Sequence, residues 1–167
     1  MKHDLTRVLV IGLSGAGKTS FAGRLAAILE VPHVESDILF RRAEKKMAAF
    51  EEVAREAVAQ SRWVFDGRLS RRDFIRSRIT TIIWLNYPRH TVVWRRLKRT
   101  MKWLTCKPAR RPAEVFRRLR RVLYLSYRFH RNWDTFFADG RPTGSSLLEF
   151  RVASQAEAFL ESLRAEA

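Results

Sequence analysis

An apolar run, Val8-Leu9-Val10-Ile11, leads straight into Gly12-Leu13-Ser14-Gly15-Ala16-Gly17-Lys18-Thr19-Ser20. No other stretch constrains the fold as tightly. Gly12, four residues, then Gly17-Lys18-Thr19 is the Walker A spacing, and it carries its own context. A strand-like run precedes it, and Phe21, Leu25, Ile28 and Leu29 follow at helical intervals. The spacing has a mechanical meaning. Gly15 and Gly17 let the backbone curl so that successive N–H groups converge on an anion, and the helix adds its positive end. Lys18 is expected to reach the β- and γ-phosphates of a nucleotide, and the Thr19 hydroxyl to ligate Mg²⁺. The expected nucleotide-binding residues are Gly12, Ser14, Gly15, Ala16, Gly17, Lys18, Thr19 and Ser20, with ATP and Mg²⁺ as cofactors. The plain alternative is a glycine-rich turn that binds nothing.

At 167 residues, with 46% apolar and 11% aromatic residues, the chain has the composition of one globular domain rather than of disorder. No apolar run approaches a membrane span. The start, Met-Lys-His-Asp-Leu-Thr, lacks a signal peptide's apolar core. Cys106 is the only cysteine, so no intrachain disulfide can form, and a cytoplasmic location is expected. The charge is less ordinary. Lys and Arg number 33 against 17 Asp and Glu, a formal +16. From Arg89 to Arg131 there are fifteen Lys or Arg and a single acid, Glu114. A polyanionic partner would therefore meet residues 89–131.

Five strand-like segments punctuate the chain: 7–11, 32–35, 62–66, 80–87 and 146–152. They are apolar runs rather than alternating ones, as strands covered on both faces of a parallel sheet would be. Helical periodicity fills the gaps. Met47, Phe50, Val53, Ala54, Ala57 and Val58 predict about four turns, and Ser70-Arg71-Arg72-Asp73 can cap a short helix. Trp94, Leu97, Met101 and Leu104 give one face of a helix from about residue 89; Phe116, Leu119, Leu123 and Tyr127 predict another from about 112. Ser154-Gln155-Ala156-Glu157 reads as a capping box opening the last helix. The prediction is one α/β domain over 1–167 with a lid-like, basic helical insertion at about 89–135.

In an open parallel sheet, ligands collect at the carboxyl ends of strands. The glycine loop, Asp37 and Asp66 all fall there. Asp66 closes the apolar strand Trp63-Val64-Phe65, either as a Mg²⁺-orienting acid or as a cap on Gly67. Asp37 either takes a proton from an acceptor hydroxyl, or orients the acceptor, or simply caps the helix that follows it. The aromatics among the arginines (Trp94, Trp103, Phe116, Tyr124, Tyr127, Phe129, Trp133) fit helix-core packing better than base stacking. His3, His33, His90 and His130 are scattered and make no metal constellation.

Gly12 to Ser20, Asp37-Ile-Leu-Phe40, Asp66-Gly-x-x-Ser70, Trp84-Leu-x-Tyr-Pro88 and Arg95-Arg-Leu-Lys-Arg99 together resemble the adenylate-kinase-like P-loop proteins of the topology modulation type. The likeness runs from the first strand to about Arg99 and resumes at the last strand. It implies a three-layer P-loop NTPase fold, a five-stranded parallel sheet in the order 2-3-1-4-5 with helices on both faces, and a basic lid. Arg68-Leu69 stand where that family usually has Asn-Tyr. With the resemblance, the arginines gain roles. Arg95, Arg96 and Arg99 are expected to close on the transferring phosphoryl group alongside Lys18, while Arg71 and Arg72, with Asp37, face the acceptor. Thr19 and Asp66 are the expected metal ligands. The leading expectation is a small kinase moving the ATP γ-phosphate to a nucleotide or other small molecule. The alternative is a nucleotide-regulated nucleic-acid-binding protein using residues 89–131, with an NTPase switch for a protein partner as a weaker third.

Overall fold

The computed structural model describes residues 3–44, 46–67, 73–105, 116–117, 120, 124, 142 and 144–166. Five strands form a single parallel sheet: β1 (Arg7–Gly12), β2 (His33–Glu35), β3 (Trp63–Asp66), β4 (Thr81–Leu85) and β5 (Ser146–Phe150), in the order β2-β3-β1-β4-β5. The expected sheet order is the one observed. The helices whose bounds lie among the described residues are α1 (Lys18–Leu29), α2 (Ser36–Arg42), α3 (Met47–Ala59), α4 (Asp73–Arg76), α5 (Arg89–Thr105) and α6 (Ala153–Glu166).

Both faces of the sheet are covered, and β1 and β3 are buried along almost their whole length. On one face Val8, Val10, Val64, Ile83 and Leu85 pack with Phe21, Ala22 and Leu25 of α1, Val92 of α5, and Ala156 and Leu160 of α6. On the other, Leu9, Ile11, Trp63, Phe65 and Ile82 pack with Leu39, Phe50, Ala54, Val58 and Ile75 from α2, α3 and α4. The middle strand β1 is the one that runs into the glycine loop. Its register, Val10 beside Asp66 on β3 and Gly12 beside Leu85 on β4, fixes the loop between two neighbouring strand ends.

Three local expectations are corrected. The last helix does not use a Ser154–Glu157 box: Gln155 Oε1 accepts the N–H groups of Arg151 (2.8 Å) and Val152 (3.3 Å) instead. Glu157 turns to Arg24 of α1, 2.6 Å away. On α5, Trp94 and Met101 do not form the inward face; they are 57% and 56% exposed. Among its described side chains the buried positions are Val92 and Thr100, eight residues apart with Arg96 midway, so the stripe facing the protein is offset from the one the large side chains mark. Phe116 and Tyr124 are also exposed, against the expectation of core packing. The predicted Ser70 cap, most of the predicted helix from 112, and the side chains of Trp103, Tyr127, Phe129 and Trp133 lie outside the described residues.

Candidate active site

The loop between β1 and α1 bends as its glycines require. Gly15 and Gly17 have φ of 98° and 90°, a region closed to most side chains. Gly17 is the cap residue of α1 and offers no side-chain acceptor, so the first N–H groups of the helix are presented to whatever sits in the loop. Two further constraints act on the glycines. A Cβ on Gly12 would stand 2.8 Å from the Leu85 carbonyl oxygen. One on Gly15 would stand 2.5 Å from Arg96 Cγ and 3.3 Å from the Val92 carbonyl oxygen. The second glycine therefore serves the approach of α5 as well as the curl of the loop.

Lys18 Nζ donates to the Leu13 carbonyl at 3.3 Å, which curls the ammonium back over the loop it belongs to. Thr19, the next residue, donates its hydroxyl to Asp66 Oδ2. Asp66 is 5% exposed at the end of β3, and 47 residues separate the two partners in the chain. This contact brings together the two expected metal ligands. Both are hard oxygen donors, and among the described residues no group of three or more His, Cys, Asp or Glu side chains stands together. Such a donor set fits Mg²⁺, which takes few protein ligands and shares the rest of its shell with phosphate oxygens and water.

Immediately after Asp66 the chain turns through Gly67, at φ 142°. A Cβ there would fall 1.6 Å from Ser36 Oγ. Buried Ser36 thus keys the start of α2 into the notch that Gly67 leaves, and holds Asp37 one residue away. The strand register agrees, with Glu35 beside Asp66. Asp37 lies in the first turn of α2 rather than ahead of it; the cap position belongs to Glu35, so the helix-cap alternative for Asp37 does not hold. Its side chain is exposed at the carboxyl end of the sheet.

From the opposite side, α5 lays two arginines on the loop. Arg95 Nη1 donates to the Ala16 carbonyl at 3.3 Å, and its guanidinium carbon sits 5.3 Å from the centroid of the Tyr87 ring. Arg96 lies with its stem against Gly15. Arg99, one turn on from Arg95, is exposed. Arg71 and Arg72 lie outside the described residues.

No family model and no curated protein matches the chain. Solved structures do match it. A shikimate kinase from Acinetobacter baumannii in complex with shikimate superposes with a TM-score of 0.54 at 16% identity, over 98% of this chain and 96% of that one. A deoxyadenosine kinase from M. mycoides with bound dATP gives 0.53 at 13% identity, over 93% and 98%. A gluconokinase from Sinorhizobium meliloti gives 0.50 at 16%, over 98% and 92%. The fold is that of the small P-loop kinases.

Within this P-loop kinase fold, the sequence motifs marked the loop and its two acids but missed three supporting features. Tyr87 was visible only as part of Leu-x-Tyr-Pro; its place beneath Arg95 depends on how α5 leaves the sheet. Ser36 gave no signal beyond its position before Asp37. Glu149, on β5, accepts from Asn86 Nδ2 at 2.7 Å and from Arg151 Nε at 3.1 Å, and these bonds hold its carboxyl below the usual glutamate range. That pair ties the ends of β4 and β5 beside the loop.

Proposed function

We propose that this protein is a Mg²⁺- and ATP-dependent phosphotransferase acting on a small acceptor. The observation that carries the reading is the Thr19–Asp66 contact at the mouth of a glycine loop overlaid by Arg95 and Arg96. Gly12, Ser14, Gly15, Ala16, Gly17, Lys18, Thr19 and Ser20 hold the donor phosphates in this reading. Lys18 swings from Leu13 onto the β- and γ-phosphate oxygens. Thr19 keeps its proton on Asp66 and turns an oxygen lone pair outward, so the two residues hold the cation jointly. Thr19 and Asp66 would hold Mg²⁺, which would supply positive charge against the donor's phosphate oxygens.

Arg95, Arg96 and Arg99 supply donors to the equatorial oxygens as charge spreads during transfer, which is where fixed positive groups contribute most. The bond from the γ-phosphorus to its bridging oxygen breaks, ADP leaves, and a bond to the acceptor oxygen forms. The part Asp37 plays depends on the acceptor class. A phosphate acceptor needs no base and would be held by Arg71 and Arg72. A hydroxyl acceptor gives its proton to Asp37. On its motifs, the chain reads as a member of the adenylate-kinase-like, topology modulation type.

A panel of nucleoside monophosphates, hydroxy acids and sugars, assayed for ADP release, tests this. A hydroxyl acceptor predicts that Asp37→Asn loses roughly 10²-fold or more in kcat, the usual scale for a general base. A phosphate acceptor predicts a far smaller loss. Release no faster than that of Lys18→Ala with every acceptor rejects the phosphotransferase. The nucleic-acid alternative rests on residues 89–131, most of which beyond 105 lie outside the described residues.

A further inference from the structure

Arg95 is a long, flexible side chain on an exposed helix, and such a side chain holds one geometry only where something fixes it. Two things fix it here. The Ala16 carbonyl accepts from Nη1 at 3.3 Å, and the Tyr87 ring lies under the guanidinium at 5.3 Å. The same Nη1 is 4.0 Å from where a Gly17 Cβ would stand, so the fork lies alongside the loop at Ala16–Gly17.

The ring is itself buried. Tyr87 is 5% exposed and packs in the core with Ala16, Val92 and Phe150. Its backbone is pinned on both sides: Asn86 N–H donates to the Phe150 carbonyl at 2.9 Å, and Val92 N–H to the Pro88 carbonyl at 3.2 Å. Burial also pushes its phenol up, opposed by the Arg95 charge, so the ring stays neutral and presents an intact π-face to the guanidinium. A core residue chosen only for volume has no need of an aromatic face at this place.

We propose that Tyr87 is a positioning residue that acts through Arg95, orienting its guanidinium toward phosphates held in the glycine loop. The proposal rests on the nucleotide-binding and phosphotransfer reading above. Tyr87 itself touches no reacting atom; its ring lies under the guanidinium, and the Ala16 carbonyl accepts from Nη1. The acceptor's identity does not enter.

The experiment is a double-mutant cycle on the full chain, with Tyr87→Phe, Tyr87→Leu, Arg95→Ala and Tyr87→Leu/Arg95→Ala. Each variant is read by Mg-ATP affinity and, where an acceptor supports turnover, by kcat and KM. Thermal unfolding of each reports its folded fraction. Tyr87→Phe keeps the ring face and is expected to stay within about twofold of the wild type, while Tyr87→Leu loses roughly tenfold, in kcat more than in KM. In the Arg95→Ala background Tyr87→Leu should cost nothing further. A Tyr87→Leu protein that matches the wild type, or a loss that recurs in full without Arg95, overturns the proposal. If no acceptor supports turnover, the phosphotransfer reading fails, but non-additive loss of Mg-ATP affinity still upholds the Tyr87–Arg95 coupling and additive loss still rejects it.

Discussion

Single residues of the candidate site are held by contacts that span the chain. Asp66 is buried because a strand end places it there, and its carboxylate is satisfied by Thr19 from the far side of the loop. Asp66→Asn keeps the shape but removes the charge, and kcat should fall about 10²-fold or more, as it does when a fixed charge-stabilising group is lost. Gly67 is as tightly determined as its neighbour. An alanine there meets Ser36 Oγ at 1.6 Å on a backbone at φ 142°. Gly67→Ala should therefore cost about 2 kcal/mol of stability by chemical denaturation, with Ser36 and Asp37 displaced as well. Wild-type stability in Gly67→Ala would show that the Ser36 notch does not constrain the corner.

Among elements, the decisive contact is α5 against the loop. Gly15→Ala sets a Cβ 2.5 Å from Arg96 Cγ and 3.3 Å from the Val92 backbone. The arginine stem can move, but the helix backbone cannot move without shifting Arg95. Gly15→Ala is expected to weaken Mg-ATP binding by about tenfold, and Arg96→Ala in that background to restore only part of it, since the backbone strain at φ 98° remains. Titration of labelled ATP reads both effects. The elements themselves were largely legible beforehand. Strands buried on both faces announce themselves as Val8–Ile11 and Trp63–Phe65 do, and Met47–Val58 repeats at helical period. What periodicity does not disclose is which stripe of a helix faces inward when apolar groups lie on more than one side. Trp94 and Met101 suggested one face of α5, whereas Val92 and Thr100 define it. The capping box failed for a related reason: Glu157 found a better partner in Arg24, on a helix distant in sequence. Likewise Tyr87 and Ser36 owe their places to approaches between elements that no local pattern encodes.

At the scale of the whole molecule, the proposed nucleotide binding and the chain's charge both bear on stability. A ligand that binds only the folded state adds about 2.7 kcal/mol at a hundred times its Kd. Mg-ATP should thus raise the melting temperature of the wild type and leave that of Lys18→Ala unchanged. Acid works in the opposite sense. Asp4, Glu149 and Glu157 are each held below the ordinary carboxylate range, chiefly by hydrogen bonds from Thr6, Asn86 and Arg24. A carboxyl depressed in the folded state contributes stability above its unfolded pKa, and that contribution is lost as pH falls through the folded value. The formal charge of +16 grows in the same range, adding self-repulsion. Denaturation midpoints should hold near neutrality and fall from about pH 4 downward. Asn86→Ala should cost about 1 kcal/mol at neutral pH and flatten the acid limb, because Glu149 then titrates nearer its ordinary range. An unchanged acid limb in that variant would remove Glu149 from the account.

The proposal that joins these scales is that the glycine loop, Asp37, Asp66 and the α5 arginines move a phosphoryl group. ADP release from Mg-ATP, followed with the acceptor panel for the wild type and Lys18→Ala side by side, tests it most directly. The account predicts that at least one small acceptor raises the wild-type rate, and that Lys18→Ala loses about 10²-fold or more of it. A wild-type rate equal to that of Lys18→Ala with every acceptor would contradict it.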